Sequence, residues 1–145
     1  MNHDFYDDAF LRDILTSVKS IAVVGASANR DRPSNRVIGF LVDKGFDVYA
    51  VNPGHSGRII NKAMTYASLA DIDAPIDMID VFRAPEHLFS VVEEALDLNP
   101  RPKYIWSQLG VRDDKAAEFA QNHGMVVVQD RCPAIEMPRL RIRSK

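Results

Sequence analysis

Residues 21–27, Ile21-Ala22-Val23-Val24-Gly25-Ala26-Ser27, form an apolar run that breaks at a glycine, and Asn29-Arg30-Asp31-Arg32-Pro33-Ser34-Asn35 then leads into a helical pattern. An unbroken apolar run rich in β-branched residues suits a strand covered on both faces, as in a parallel sheet. Gly25 permits a sharp turn and a close approach of a ligand to the backbone. Val37, Ile38, Phe40, Leu41 and Val42 keep helical spacing, Ser34 or Asn35 is the expected N-cap, and Gly45 fits the C-terminal stop. The helix N-terminus therefore faces the turn. Unpaired N–H groups and the positive end of the helix dipole favour an anion there, and Arg30, Arg32 and Arg36 add full charges, so a phosphate group is expected. A tight strand-to-helix connection with solvated arginines accounts for the same residues and stays open.

The dinucleotide fingerprint GxGxxG is a poor match, because Ser27 and Arg30 stand where its second and third glycines belong. The second strand, Phe46-Asp47-Val48-Tyr49-Ala50-Val51, runs into Asn52-Pro53 where an NAD-binding chain places an acidic residue for the ribose hydroxyl. NAD is disfavoured on both counts.

With 145 residues, the chain is expected to form one domain, 1–145, that buries roughly two thirds of the surface exposed by its unfolded state. Hydrophobic residues at 46%, charged residues at 26% and a formal net charge of -2 lack the basic excess of a nucleic-acid binder. Cys132 is the single cysteine, so no intramolecular disulfide forms, and no segment has the pattern of a signal peptide. A reducing cytoplasm is the expected location. The apolar runs are too short to cross a bilayer.

Phe10, Leu11, Ile14, Leu15 and Val18 recur at helical spacing, which predicts a lead-in helix within 1–20. Beyond the second strand the pattern alternates: a strand near 76–82, a helix near 85–98, a strand near 104–107, a helix near 113–123 and a strand near 125–129. Residues 54–60 read as a flexible loop that rises into a short extra strand at Ile59-Ile60, and 66–71 as a short turn. Residues 139–145 read as a frayed basic tail. Right-handed helical crossovers assemble these parts into a Rossmann-like three-layer α/β fold, with five parallel strands in the order 3-2-1-4-5 and helices on both faces. Ligands in such sheets bind outside the carboxyl ends of the strands. Those ends deliver Gly25-Ala26-Ser27, Asn52-Pro53, Phe82-Arg83, Ser107-Gln108 with Gly110, and Asp130-Arg131-Cys132. Such a rim suits an adenine nucleotide with a long tail.

Six ordered blocks now carry a resemblance: Val23-Val24-Gly25-Ala26-Ser27, Arg32-Pro33-Ser34-Asn35, Val51-Asn52-Pro53, Asp80-Val81-Phe82-Arg83, Ile105-Trp106-Ser107-Gln108-Leu109-Gly110 and Asp130-Arg131-Cys132-Pro133. Together they resemble the small stand-alone CoA-binding proteins, whose fold is shared with the CoA-binding domain of the succinyl-CoA ligase α subunit. The resemblance implies that Gly25, Ala26 and Ser27 receive the CoA diphosphate beside Ser34. It implies that Asn52, Pro53, Val81, Phe82 and Arg83 line the adenosine and 3′-phosphate side, and that Ser107, Gln108 and Gly110 meet the pantetheine. Arg32 is the first candidate for the 3′-phosphate, with Arg36, Lys44 and Arg83 as alternatives. Two departures accompany it. No second domain with a phosphorylated histidine is expected, so ligase chemistry is not, and Asn61-Lys62-Ala63-Met64 stands where relatives place a glycine after the apolar pair.

Catalytic candidates are sparse. His3 lies in an expected mobile end, His55 in a glycine-rich loop, His87 near a helix start and His123 near a helix end, and solvated or capping roles suit all four. No His/Cys spacing fits a metal site. Phe82 and Trp106 either wall the ligand or fill the core. Cys132 is either a reactive thiol beside Arg131 or an inert core residue. The leading reading is a non-catalytic module that binds CoA or an acyl-CoA. The alternatives are an NADP-dependent oxidoreductase, with Arg30 or Arg32 on the 2′-phosphate, and a protein-interaction scaffold. Phe10 with Ile14, or Leu11 with Val18, serves equally to seal the sheet or to form a dimer.

Overall fold

The computed structural model describes residues 1–145. Helix α1 (Asp8–Ser17) leads into β1 (Ser20–Val24), followed by α2 (Pro33–Asp43) and β2 (Asp47–Val51). A two-residue strand β3 (Ile59–Ile60) pairs antiparallel with β4 (Ala63–Tyr66), which runs parallel to β2. Then come β5 (Met78–Val81), α3 (Leu88–Leu96), β6 (Tyr104–Ser107), α4 (Asp114–Asn122), β7 (Val126–Val128) and α5 (Pro133–Arg139).

The sheet has seven strands in the order β3-β4-β2-β1-β5-β6-β7, not five. The expected order is corrected too: the strand near 76–82 is β5, which pairs with β1 and not with the outer edge of β2. That outer edge is taken by β4, whose Ala63-Met64-Thr65-Tyr66 was too short and mixed to register as a strand. Counting β4 as the third parallel strand restores the 3-2-1-4-5-6 order of the nucleotide-binding sheet. The extra strand at Ile59-Ile60 forms as expected. Its two-residue link to β4, Asn61-Lys62, turns without glycine by holding φ at 39° and 75°, as a primed hairpin turn requires. Asn61 also donates from Nδ2 to the Asn35 carbonyl at 2.8 Å, filling space that Gly39 leaves open.

Side chains alternate across the sheet and build two separate cores. One packs β1, β5 and β6 against α1, α2 and α5, with Ile38, Leu41, Leu15, Met78, Trp106 and Met137 fully covered. The other packs Ala22, Ile79, Ile105 and Val127 against Leu88, Val91 and Val92 of α3 and Ala116, Ala117 and Ala120 of α4. The small alanines of α4 let its backbone lie close to the sheet. Helix α2 stops at Gly45 as expected, and α4 stops at Gly124 in the same way. Gly45 at φ 93° and Gly124 at φ 86° donate to Val42 and Gln121, while Phe46 and Met125 reach back to Leu41 and Ala120.

Several local expectations change. The N-cap of α2 is Arg32 with Pro33 at the first helical position, and Ser34 and Asn35 lie buried inside the first turn. The tail is docked rather than frayed. Leu140 and Ile142 are buried, the Lys145 N–H donates to the Lys44 carbonyl at 2.7 Å, and Gly45 has no Cβ to collide with it. His3 is buried rather than mobile. The Gln129 N–H donates to the Tyr6 hydroxyl at 2.8 Å, which leaves the Tyr6 O–H to donate to His3 Nδ1 at 2.6 Å. Burial lowers the His3 pKa, which agrees with a ring that accepts. No helix is long and apolar enough to cross a membrane.

Candidate functional site

The strand ends converge on one cleft of about 990 Å3, lined by residues from the turns after β1, β5 and β6 and by the helices α2 and α5. Gly25, Ser27, Arg32, Ser34, Phe82, Arg83, Gln108 and Gly110 all line it, as the sequence reading expects. Ala26, Asn52, Pro53, Val81 and Ser107 do not line it: Ala26, Val81 and Ser107 are buried behind its wall, and Asn52 and Pro53 follow β2, whose end lies outside the lining.

The turn after β1 is held by its own side chains. Gly25 adopts φ +84°, and a Cβ there would lie 2.7 Å from the Phe82 carbonyl oxygen, so only glycine lets this turn pack against the end of β5. The N–H groups of Gly25 and Ala26 donate to the Val51 carbonyl, and the Ser27 N–H donates to Ser34 Oγ at 3.1 Å. Asn35 Nδ2 donates to the Ser27 carbonyl at 2.9 Å. Asn52 clamps from the other side: its Nδ2 donates to the Ala26 carbonyl and its Oδ1 accepts the Gly54 N–H, both at 2.8 Å. Pro53 begins the single helical turn that Asn52 caps. Ser34, Asn35 and Asn52 thus position the turn, and the positive charge comes from Arg32, Arg36 and Arg83. Lys44 is removed from this set, since it sits at the opposite end of α2, over the Phe40 ring.

The far wall follows the same logic. Ser107 is fully buried and donates from Oγ to the Val111 carbonyl at 2.7 Å, closing the loop 107–111. Gly110, at φ +80° with open space around it, donates its N–H to Asp130 Oδ1 at 2.7 Å. Gln108 is 7% exposed, yet its Oε1 has no hydrogen-bond partner. Trp106 belongs to the core and not to a stacking site; it is fully covered and donates from Nε1 to the Arg131 carbonyl at 3.0 Å. Phe82, in contrast, lines the cleft.

Sequence reasoning missed the apolar half of the lining: Val37, Phe40, Leu109, Val111, Ala134 and Ile135. Leu109 and Ile135 are about half exposed, at 52% and 50%, which is high for such side chains and marks the mouth. The available signal was Pro133 after Cys132, a helix-start residue that places α5 at the rim. Cys132 itself is 5% exposed, packs in the first core and lines the cleft.

One buried group lies beneath the site. The register Ala50–Val23–Asp80–Trp106–Val128 sets the Asp80 carboxyl in the middle of an otherwise apolar row. Neither oxygen has a partner, and burial, which disfavours the charged form, pushes its pKa well above the usual carboxylate range.

Comparisons with known proteins agree with this geometry. A model of the CoA binding domain family matches residues 19–138. The chain is 36% identical over 124 residues to the uncharacterised protein YneT of Bacillus subtilis (strain 168), covering 86% of this chain and 89% of that one. A solved structure from Thermus thermophilus, cell-free ID.343, superposes with a TM-score of 0.86 at 36% identity, over 93% of this chain and 99% of that one. A hypothetical protein from Pyrococcus horikoshii OT3 superposes with a TM-score of 0.87 at 34% identity, over 97% and 96%. The family match, these relatives and the turn that Gly25, Ser34 and Asn52 build together lead to one conclusion: the chain belongs to the CoA-binding domain family, which is also found in the succinyl-CoA ligase α subunit.

Proposed function

We propose that this protein binds coenzyme A, free or acylated, in the cleft at the carboxyl ends of its strands, as a non-catalytic carrier or sensor module. The observation that carries the reading is the mixed lining of one cleft. It brings together Arg32, Arg36 and Arg83, with Ser27 and the first turn of α2, and the apolar Phe40, Leu109, Val111 and Ile135. A ligand with a phosphorylated head and a long, weakly polar arm matches that combination of side chains.

In this reading Gly25, Ser27 and Ser34 face the diphosphate, and Arg32 and Arg36 neutralise the phosphate charge. Phe82 and Arg83 take the adenosine side. Gln108 and Gly110 meet the pantetheine, whose amide N–H groups suit the unpartnered Gln108 Oε1. Asn52, Ala26, Val81 and Ser107 act from behind by fixing the walls, and Pro53, exposed after β2, stands outside the cleft. Because the Gly25, Ala26 and Ser27 N–H groups are already bonded within the protein, the side-chain guanidinium groups supply most of the attraction, and binding weakens with added salt. The reading treats residues 1–145 as one domain working in the cytoplasm, consistent with a single unpaired cysteine.

A calorimetric titration with CoA, dephospho-CoA, acetyl-CoA and NADPH tests this. CoA is expected to bind, and dephospho-CoA to bind at least tenfold more weakly, which is about 1.4 kcal/mol. Preference for NADPH would replace the reading with a dinucleotide enzyme, and silence for all four ligands with a protein-interaction scaffold.

A further inference from the structure

We propose that Cys132 is a covalent capture site, at which the pantetheine thiol of CoA is held as a mixed disulfide; this rests on the CoA reading above. Cys132 follows β7, but the Arg131 N–H donates to the Ser107 carbonyl and the Trp106 indole donates to the Arg131 carbonyl, so the chain is drawn back over the end of β6. Cys132 is thereby carried to the cleft that also contains Gly25 and Ser27. With strands about 4.8 Å apart, β1 and the β6–β7 edge are separated by two to three spacings, about 10 to 14 Å. A pantetheine arm of about thirteen bonds, at about 1.2 Å of reach per bond, spans about 15 Å when extended. An arm anchored by its diphosphate at the β1 turn therefore brings its thiol to Cys132 with little slack.

A second, independent feature points to a ligand at this end of the cleft. Gln108 is more than nine-tenths buried and lines the cleft together with Cys132, and its Oε1 has no partner within the protein. A buried amide oxygen left unbonded costs about 1–3 kcal/mol, and an amide of the pantetheine arm removes that cost. Val111, Ala134 and Ile135 make the surroundings apolar, which suits the ethylene segment next to the thiol.

The chemistry is thiol–disulfide exchange with CoA disulfide as the oxidant. The Cys132 thiolate attacks one sulfur of the CoA disulfide, a new Sγ–S bond forms, and the original S–S bond breaks. The departing CoA thiolate takes up the proton that Cys132 lost. One disulfide is consumed and one is made, so a small thiol reverses the step. In a reducing compartment such an adduct is transient and follows the supply of CoA disulfide.

The test incubates the protein with CoA disulfide or, at equal concentration, glutathione disulfide, and follows intact mass and peptide mapping over time. Cys132 is expected to gain one CoA at least tenfold faster than one glutathione. Ser27→Glu is expected to abolish that preference, and Cys132→Ser to remove the adduct. Equal rates for the two reagents would show an ordinary exposed thiol and overturn the proposal, as would the lack of an adduct on protein that binds reduced CoA by calorimetry. Loss of CoA binding itself in the calorimeter would identify the underlying reading as the failure.

Discussion

The two faces of the sheet are built to different standards. Beneath α3 and α4 the packing is largely apolar, from Leu88, Val91 and Val92 to the Ala116, Ala117 and Ala120 row, the buried Ser107 and Gln129 are hydrogen-bonded within the protein, and the helices themselves contribute nothing to the cleft. Beneath α1, α2 and α5 lie the buried Asp80, the free Cys132 and the polar residues Ser34 and Asn35, and the helices α2 and α5 both wall the cleft. The polar groups buried under α3 and α4 find partners, whereas the Asp80 carboxyl under α1, α2 and α5 has none. Natural proteins tend to break local rules where function requires it, and here the unpartnered carboxyl lies on the face whose helices wall the cleft.

The largest expected effect tests the cost of Asp80. Its folded-state pKa is raised by burial, so the carboxyl is neutral in both states at low pH and its contribution is then complete. As pH rises from the unfolded pKa towards the folded one, the unfolded chain alone releases the proton, and stability falls by up to about 1.4 kcal/mol per pH unit across that window. Asp80→Asn is expected to remove this slope, measured by denaturant unfolding between acid and neutral pH. A slope shared by wild type and variant would show that the face carries no such penalty.

Leu88→Ala, on the packing face, is expected to cost about 3 kcal/mol of stability while leaving CoA affinity within twofold. A matching loss of affinity would break the division between the faces. Ser27→Glu makes the converse test at the other side. A carboxylate at the head of the cleft is expected to weaken CoA binding about 100-fold, about 2.7 kcal/mol, with a thermal midpoint near that of wild type. Unchanged affinity would move the ligand away from the β1 turn.

Much of the fold was legible because its signals are local. The apolar run ending at Gly25, the helical spacing after Pro33 and the helix near 113–123 each rest on signals within a few residues, and each appears where the pattern places it. The edge hairpin was harder to read. Strand β4 is four mixed residues, and its existence depends on pairing with β2, not on its own propensity. The basic tail misled for the same reason: Arg139 to Lys145 reads as solvated until Leu140 and Ile142 find the gap beside α1.

At the site, the eight lining residues named from sequence all sit at strand ends or at a helix start, where the rule for open α/β sheets places ligands. Of the five that do not line it, Asn52 and Pro53 follow β2, whose end lies outside the cleft, whereas Ala26, Val81 and Ser107 share the ends of the lining residues and differ from them in side-chain direction. Adjacent residues such as Ser107 and Gln108 point to opposite sides, and no pattern in the sequence says which of them a loop will turn inward. Periodicity, turn residues and the six blocks of the family pattern were enough to determine the layer architecture, the β1 turn and the family. The strand order around β5, the apolar wall from α5, the buried His3–Tyr6–Gln129 chain and the approach of Cys132 to Gly25 came from the folded molecule. These features join segments far apart in the chain, 123 residues apart for Tyr6 and Gln129, and such contacts arise from packing rather than from the preferences of neighbouring residues.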